Sequence, residues 1–183
     1  MLKLETVCLQ KRDGRGRGGV KYEPIGNIYP IKVDYDATIE TLVAAAECKY
    51  VDPAINDRNF ATRREGSGWL LLWLVQVDRW TPTTQKILDE LEGLGLRPAE
   101  LHELLAFAGQ YPELRLEEHP VVALGSTAMI PFGGGGAPWA VCLGHRGSGV
   151  ERHDLTLVRA DHGWSGVYWF AAVPLPRRVE ENR

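Results

Sequence analysis

Three histidines and one aspartate near the end of the chain are the side chains best suited to chemistry. They are His145, His153, Asp161 and His162. Imidazole and carboxylate groups are ligands that zinc takes in proteins. Their separations match neither helical spacing nor a recognised pair of zinc ligands, so the pattern does not predict a metal site. A small hydrolase or metalloenzyme that uses His145, His153 and His162 stays open as an alternative function.

The nucleophiles of the chain stand in sequence contexts that would not activate them. Ser126 lies in LGSTA and not in the Gly-x-Ser-x-Gly turn that exposes a catalytic serine. Cys142 lies inside an apolar strand pattern, where a thiolate is disfavoured. Glu117 and Glu118 adjoin His119 in a polar turn, where nothing would bury a carboxyl group and move its pKa. We therefore predict a protein that is not an enzyme and has no cofactor.

Length and composition indicate one domain. A chain of 183 residues buries about 70% of its unfolded surface, so it needs neither a metal nor a disulfide. The three cysteines are odd in number and far apart, which predicts free, buried thiols. The net charge of −3 favours neither nucleic acid nor a membrane as a partner. Without a signal-peptide core or a long apolar run, we expect a cytoplasmic or virion-associated protein.

Two glycine-rich stretches raise the question of phosphate binding. Residues 13–19 (DGRGRGG) carry basic side chains, but neither interleaved aromatic residues nor a helix accompanies them. Residues 133–136 are four consecutive glycines that lead into an apolar strand pattern and not into a helix N-terminus. We interpret both stretches as hairpin loops.

The segment Gly95–Ser126 predicts a helix, a turn and a strand in succession. Pro98 suits the first turn of a helix, because its missing N–H would be unpaired there in any case. An apolar stripe with helical spacing follows, formed by Leu101, Leu104, Leu105 and Ala108. The helix is expected to end at Gly109. The apolar run at 121–124, closed by glycine and serine, predicts a short buried strand.

Two further helical stripes occur earlier in the chain. One begins near Thr38 and contains Ile39, Leu42, Val43 and Ala46. The other opens at Thr81-Pro82 and contains Ile87, Leu88 and Leu91. Between them, the polar stretch Tyr50–Gly68 predicts a long loop.

Strand patterns fill most of the remaining chain. Leu2–Leu9 alternates between apolar and polar residues, and Tyr29–Tyr35 contains Pro30, which places that strand at a sheet edge. Trp69–Val77 is apolar throughout, which predicts a central strand covered on both faces. Three strands are expected near the end of the chain, at Trp139–Leu143, Asp154–Val158 and Val167–Val173.

The segments GLRPAELHELLAF (95–107), YP (111–112) and PVVALGS (120–126) resemble the central part of small proteins with a C-type-lectin-like fold. These come from bacteria, phages and archaea, and some are the variable proteins of diversity-generating retroelements. WAVCLG, DLTLV and YWFAAV (139–144, 154–158 and 168–173), the last preceded by Trp164, extend the resemblance. Pro174 departs from it, because a basic residue is expected there. The calcium-ligand motifs of lectins and the paired cysteines of formylglycine-generating enzymes are absent.

Residues 144–168 combine aromatic, basic, acidic and imidazole side chains with short apolar stretches. Such side chains on loops held by a rigid sheet are typical of contact surfaces. The resemblance favours a binding role as well, since these families place their ligand surface in the final third of the chain. The predicted ligand-binding residues are His145, Arg146, Glu151, His153, Arg159, Asp161, His162, Trp164, Ser165 and Tyr168.

The fold that we predict is α+β, with two helices packed on a twisted, mostly antiparallel sheet and a loop-rich C-terminal half. The resemblance implies that a single C-type-lectin-like domain spans residues 1–175, in which we expect an N-terminal arm at 1–27, and we expect a disordered tail at 176–183. The predicted function is non-enzymatic binding of a ligand, expected to be a protein, and the resemblance implies a retroelement variable protein as its sharpest version. A structural, virion-associated protein is the remaining alternative.

Overall fold

The computed structural model describes residues 27–77, 80–114, 119–132, 135–144 and 154–175. The predicted strand Leu2–Leu9 and the glycine-rich residues 13–19 lie outside these ranges. Within them are three helices, α1 (Ile39–Ala45), α2 (Thr84–Gly93) and α3 (Leu101–Gln110). The eight strands are β1 (Ile28–Asp34), β2 (Tyr50–Val51), β3 (Ser67–Gln76), β4 (Leu96–Pro98), β5 (Val121–Phe132), β6 (Gly135–Gly144), β7 (Asp154–Arg159) and β8 (Trp169–Pro174).

All eight strands belong to one mixed sheet. The order is β1-β3-β8-β5-β6-β7-β2, and the short β4 pairs with the end of β8. Strands β5 and β8 run parallel, as do β2 and β7, whereas the other pairs are antiparallel. The α+β class and the mostly antiparallel sheet are therefore confirmed. Strands β5 and β6 form the hairpin predicted around the four glycines.

Both faces of the sheet carry a hydrophobic core. In β5, Val121 and Ala123 belong to the core beneath α1 and α3, whereas Val122 and Leu124 belong to the core beneath α2. Residues 160–168, which connect β7 to β8, help to cover the second face. All three predicted helical stripes form helices. The expectation that two helices pack on the sheet is wrong, because α1 and α3 cover one apolar face and α2 covers the other.

Helix α3 is the most deeply buried of the three helices. Leu101, Leu104 and Leu105 are at most 1% exposed, so the predicted apolar stripe is confirmed. A capping box begins the helix, in which Glu100 and Glu103 each accept a hydrogen bond from the other residue's backbone N–H. No helix among the described residues combines the length and apolar character needed to cross a membrane.

Strand β3 differs from its prediction in position. It lies second from the sheet edge, between β1 and β8, and not at the centre. Leu72 and Leu74 are buried in the first core, and Trp73 and Val75 pack against the second. Trp69 is 53% exposed, because the second core does not extend as far as the beginning of the strand.

Strand β5 is longer than predicted because the chain bends at its glycine and serine and then continues. The register with β6 shifts between Ala123 and Thr127, which is a bulge in the ladder. At the bulge, Gly125 donates its N–H to the carbonyl of Ala99 at 2.9 Å. The Ser126 hydroxyl accepts the N–H of Leu101 at 2.9 Å, which holds the bend to the first turn of α3.

Gly125 is the position where a side chain would be least tolerated. A Cβ atom there would lie 2.6 Å from the carbonyl oxygen of Ala99 and 2.7 Å from that of Pro98. Both neighbours are backbone atoms of the link between β4 and α3, and this link is also hydrogen-bonded to β8. An added methyl group would therefore have to separate β5 from that link.

We predict that Gly125→Ala lowers the free energy of unfolding by about 1–3 kcal/mol or more, the usual cost of overpacking. Gly93→Ala is the matched control. A Cβ atom at Gly93, in the last turn of α2, would have no neighbour within 4 Å. The control should leave stability unchanged or raise it slightly, because alanine favours a helix. Urea unfolding curves measure both, and equal midpoints for the two variants would contradict the packing analysis.

Candidate functional site

Six of the ten predicted ligand-binding residues lie within the described part of the chain. His145, Arg146, Glu151 and His153 lie outside it. The other six are on the end of β7 and on the connection to β8, which we call the crossover (residues 160–168).

The crossover runs along the second face of the sheet and is tied to the segment before α2. Thr81 and Trp164 exchange backbone hydrogen bonds of 2.8 and 2.7 Å. The Trp164 indole donates to the Thr84 hydroxyl at 2.9 Å, and that hydroxyl donates to the carbonyl of Ala160. These contacts fix the crossover on the sheet.

Trp164 is part of the core and does not face solvent. It is 3% exposed, and its ring packs edge-on against Phe170 and Tyr168, with both centroid distances at 5.3 Å. Trp164, predicted as a ligand-binding residue, therefore anchors the crossover to the core. Ser165 is half-buried, and its carbonyl accepts the Tyr168 N–H at 3.3 Å.

Arg159, Asp161 and His162 are exposed where β7 passes into the crossover. The Arg159 guanidinium donates two hydrogen bonds to the Asp161 carboxylate, 2.9 Å from Nε to Oδ1 and 2.5 Å from Nη2 to Oδ2. These bonds hold the pKa of Asp161 below its ordinary value. The paired geometry orders two long side chains on an otherwise open surface.

Trp80, to which the sequence pattern assigned no role, lies against Gly163, the residue that follows His162. Its side chain is 65% exposed, the highest value among the exposed tryptophans. The ring rests on Gly163, where a Cβ atom would lie 2.3 Å from the Trp80 Cζ2 atom. Trp80 also lines a cavity of about 310 Å³ together with Pro82 and Lys86.

We call the exposed group formed by Trp80, Arg159, Asp161 and His162 the Trp80 surface. Gly163 brings its parts together, since it touches the Trp80 ring and follows His162 directly. The sequence contains both residues of this contact, Trp80 and Gly163, but no pattern that links them. A tryptophan just before a helix start and a glycine in a polar loop do not reveal their contact until the crossover is placed.

Tyr168 is half-buried and lies outside this exposed group. It lines a second cavity, of about 350 Å³, together with Tyr50, Asp52, Asp154 and Thr156. Burial raises the pKa of Tyr168, so its hydroxyl is neutral and available for hydrogen bonding. The described predicted residues therefore form no single surface, because Arg159, Asp161 and His162 are exposed whereas Trp164 lies in the core and Tyr168 is half-buried.

A buried charged cluster begins α3. Glu103 is fully buried and accepts hydrogen bonds from the Tyr35 hydroxyl at 2.5 Å and from Arg97 at 2.5 and 3.1 Å. Its Oε2 atom also accepts the Glu100 N–H at 2.7 Å. Burial and the bond to Glu103 raise the pKa of Tyr35, so the phenol stays protonated as a donor. Every hydrogen bond described here joins parts of the fold, so we assign the cluster a structural role.

Glu100 extends this cluster to the long loop between β2 and β3. Its carboxylate accepts hydrogen bonds from Arg64 at 2.6 Å and from the Thr62 hydroxyl at 2.8 Å. Burial by itself would raise the pKa of Glu100, but these bonds outweigh it and the pKa falls below its ordinary value. The predicted loop Tyr50–Gly68 is confirmed between β2 and β3, which take its first two and last two residues, and Glu100 at the start of α3 holds Thr62 and Arg64 of this loop.

The described cysteines and histidines provide neither a reactive thiolate nor a group of metal ligands. Burial raises the pKa of Cys142 to about 12 and that of Cys48 to about 11, so both are protonated thiols. No group of three or more His, Cys, Asp or Glu side chains among the described residues is placed to hold a metal ion. His145 and His153, on which the metalloenzyme alternative depends, lie outside them, and His162 is exposed.

Comparison with known proteins leaves the family open. Nothing matches this chain among protein-family models, curated proteins or solved structures.

We predict that Glu103→Gln lowers the free energy of unfolding by about 3–5 kcal/mol, because it leaves the Arg97 charge buried without its counter-ion. Asp161→Asn is the matched control, since it removes the charge from an equally bidentate but exposed pair with Arg159. The control should leave the unfolding curve unchanged, as is usual for surface ion pairs. Similar small effects of both substitutions in urea unfolding would show that the buried cluster does not stabilise the fold.

Proposed function

We propose that this protein is a non-enzymatic binding protein whose partner is another protein and whose binding face is the Trp80 surface. The observation that carries the proposal is the exposed Trp80 indole, 65% accessible and supported by Gly163. Nucleic acid and membranes are not the proposed partners. The net charge of −3 and the mixed charges beside Trp80 offer neither of them an extended basic surface.

Two physical properties of the Trp80 surface support this role. Tryptophan and arginine dominate the energetics of protein interfaces, because they combine large contact area with directional hydrogen bonds. The surface is also ordered in advance. Arg159 is held by Asp161, and the backbone behind Trp80 is fixed by the hydrogen bonds between Thr81 and Trp164. Ordered side chains lose little conformational entropy when a partner binds.

The finer proposal is that the domain has a C-type-lectin-like fold and that the protein is a variable protein of a diversity-generating retroelement. The resemblance between residues 95 and 173 supports both statements. If the proposal is right, the neighbouring DNA contains a reverse-transcriptase gene and a near-copy of the 3′ end of this gene. A locus without both features would remove the retroelement version and leave the binding proposal in place.

We predict that Trp80→Ala reduces capture of the partner about tenfold or more, because it removes the central aromatic contact. The tagged protein and its variants would be incubated with lysate of the organism that carries the gene, and quantitative mass spectrometry would measure the captured proteins. Trp69→Ala is the matched control, since Trp69 is also an exposed tryptophan, 53% accessible, but lies on β3 away from the Trp80 surface.

Both variants should keep the circular dichroism and melting temperature of the parent protein. Unchanged capture by Trp80→Ala would contradict the proposal. Equal loss with Trp80→Ala and Trp69→Ala would contradict it too, since that result would indicate nonspecific adhesion to exposed indoles.

A further inference from the structure

Two threonines stand at the beginning of α2, and their hydroxyl groups have different hydrogen-bond partners. The Thr83 hydroxyl accepts the Lys86 N–H, which is the capping bond of the helix. Thr84, the first residue of the helix, is therefore not needed as its cap. Its half-buried hydroxyl instead accepts the Trp164 indole N–H at 2.9 Å and donates to the carbonyl of Ala160. Both directions are fixed, because an indole N–H can only donate and a carbonyl can only accept.

The two partners of Thr84 lie on either side of the exposed part of the crossover. Ala160 comes directly before residues 161–163, and Trp164 comes directly after them. Each partner has a second attachment to the fold. The Ala160 N–H donates to the carbonyl of Pro138 in β6 at 2.8 Å, and the Trp164 ring lies in the core. One hydroxyl therefore joins both ends of a three-residue exposed segment to α2.

The Trp80 ring takes its position from this segment. A Cβ atom at Gly163 would lie 2.3 Å from the Trp80 Cζ2 atom and 2.4 Å from its Cη2 atom, so the ring occupies the space of a side chain at position 163. Because 65% of the Trp80 side chain is exposed, the packing that orients the ring is confined to its covered part. A change in the backbone at Gly163 would therefore change the orientation of the indole.

We propose that Thr84 is a positioning residue for the Trp80 surface, whose hydroxyl holds residues 160–164 so that Gly163 supports the Trp80 ring. The inference rests on the proposed function, since it names the residue that keeps the binding face ordered. Valine has nearly the shape of threonine but neither donates nor accepts a hydrogen bond. In Thr84→Val, residues 161–163 would sample several conformations, and the partner would have to order them when it binds.

NMR of the full-length protein tests this positioning role without a partner. In the parent protein we expect nuclear Overhauser effects between the Trp80 ring and the Gly163 Hα protons, and slow solvent exchange of the Trp164 indole N–H. Thr84→Val should abolish the Overhauser effects and speed the indole exchange about tenfold or more, because local opening no longer breaks a hydrogen bond. Thr84→Ser keeps the hydroxyl and should give the signals of the parent protein.

Ser126→Ala is the matched control, because it also removes a half-buried hydroxyl that accepts a hydrogen bond, in this case from the Leu101 N–H. Both Thr84→Val and Ser126→Ala should lower the melting temperature, but the control should keep the contact between Trp80 and Gly163. Persistence of that contact in Thr84→Val would overturn the proposal. Failure of Thr84→Val to fold at 25 °C would overturn it too, because the hydroxyl would then hold the whole domain and not the surface.

Capture from lysate, measured as for Trp80→Ala, tests the consequence for binding. Thr84→Val should reduce capture about threefold or more, since the surface is no longer ordered in advance. Gly163→Ala should reduce it as well, because the added methyl group displaces the Trp80 ring. Thr84→Ser and Ser126→Ala should capture as much as the parent protein does.

The two proposals fail in different ways. Capture that depends on Trp80 but is unchanged in Thr84→Val would overturn the positioning role and leave the proposed function in place. Capture that is unchanged in Trp80→Ala would contradict the proposed function. In that case the NMR contact between Trp80 and Gly163 would still decide whether Thr84 positions the ring.

Discussion

Apolar side chains occupy both faces of the central strands, and this is the constraint on which the rest of the structure depends. Val121 and Val122, neighbours in β5, are both fully buried, one in each core. A strand of this kind is stable only when both sides of the sheet are covered. Helices α1 and α3 cover the first side. On the second side α2 is the only described helix, so the irregular crossover has to lie flat against the sheet beside it.

Because the crossover has to cover the second face of the sheet, its backbone is packed and hydrogen-bonded in one position. Trp164 fills the core beneath it, and its hydrogen bond to Thr84 joins the crossover to α2. Gly163 leaves room for the Trp80 ring directly above. A segment that would otherwise be a mobile loop thereby becomes part of the packed structure. Among its outward residues, Asp161 is held by the two hydrogen bonds from Arg159.

Helix α3 supplies hydrogen-bond partners to polar groups that would otherwise be buried without one or left unpaired at a sheet edge. At its beginning, Glu103 neutralises Arg97 within the core, and Glu100 holds the long loop through Arg64. At its end, Gln110 and Tyr111 close the edge of β1. One helix thus organises a buried charge and a sheet edge.

The sequence by itself determined the elements whose patterns are local. The stripe of Leu104 and its neighbours, the edge strand marked by Pro30 and the hairpin of four glycines depend on periodicity and backbone preference, which short stretches of sequence record. Only the tertiary structure decided that β5 continues past Gly125, because a nearby backbone, and not the strand's own residues, requires the bulge. It also buried Trp164 in the core and joined Trp80 to the crossover, since contacts between distant segments leave no periodic signal in either one.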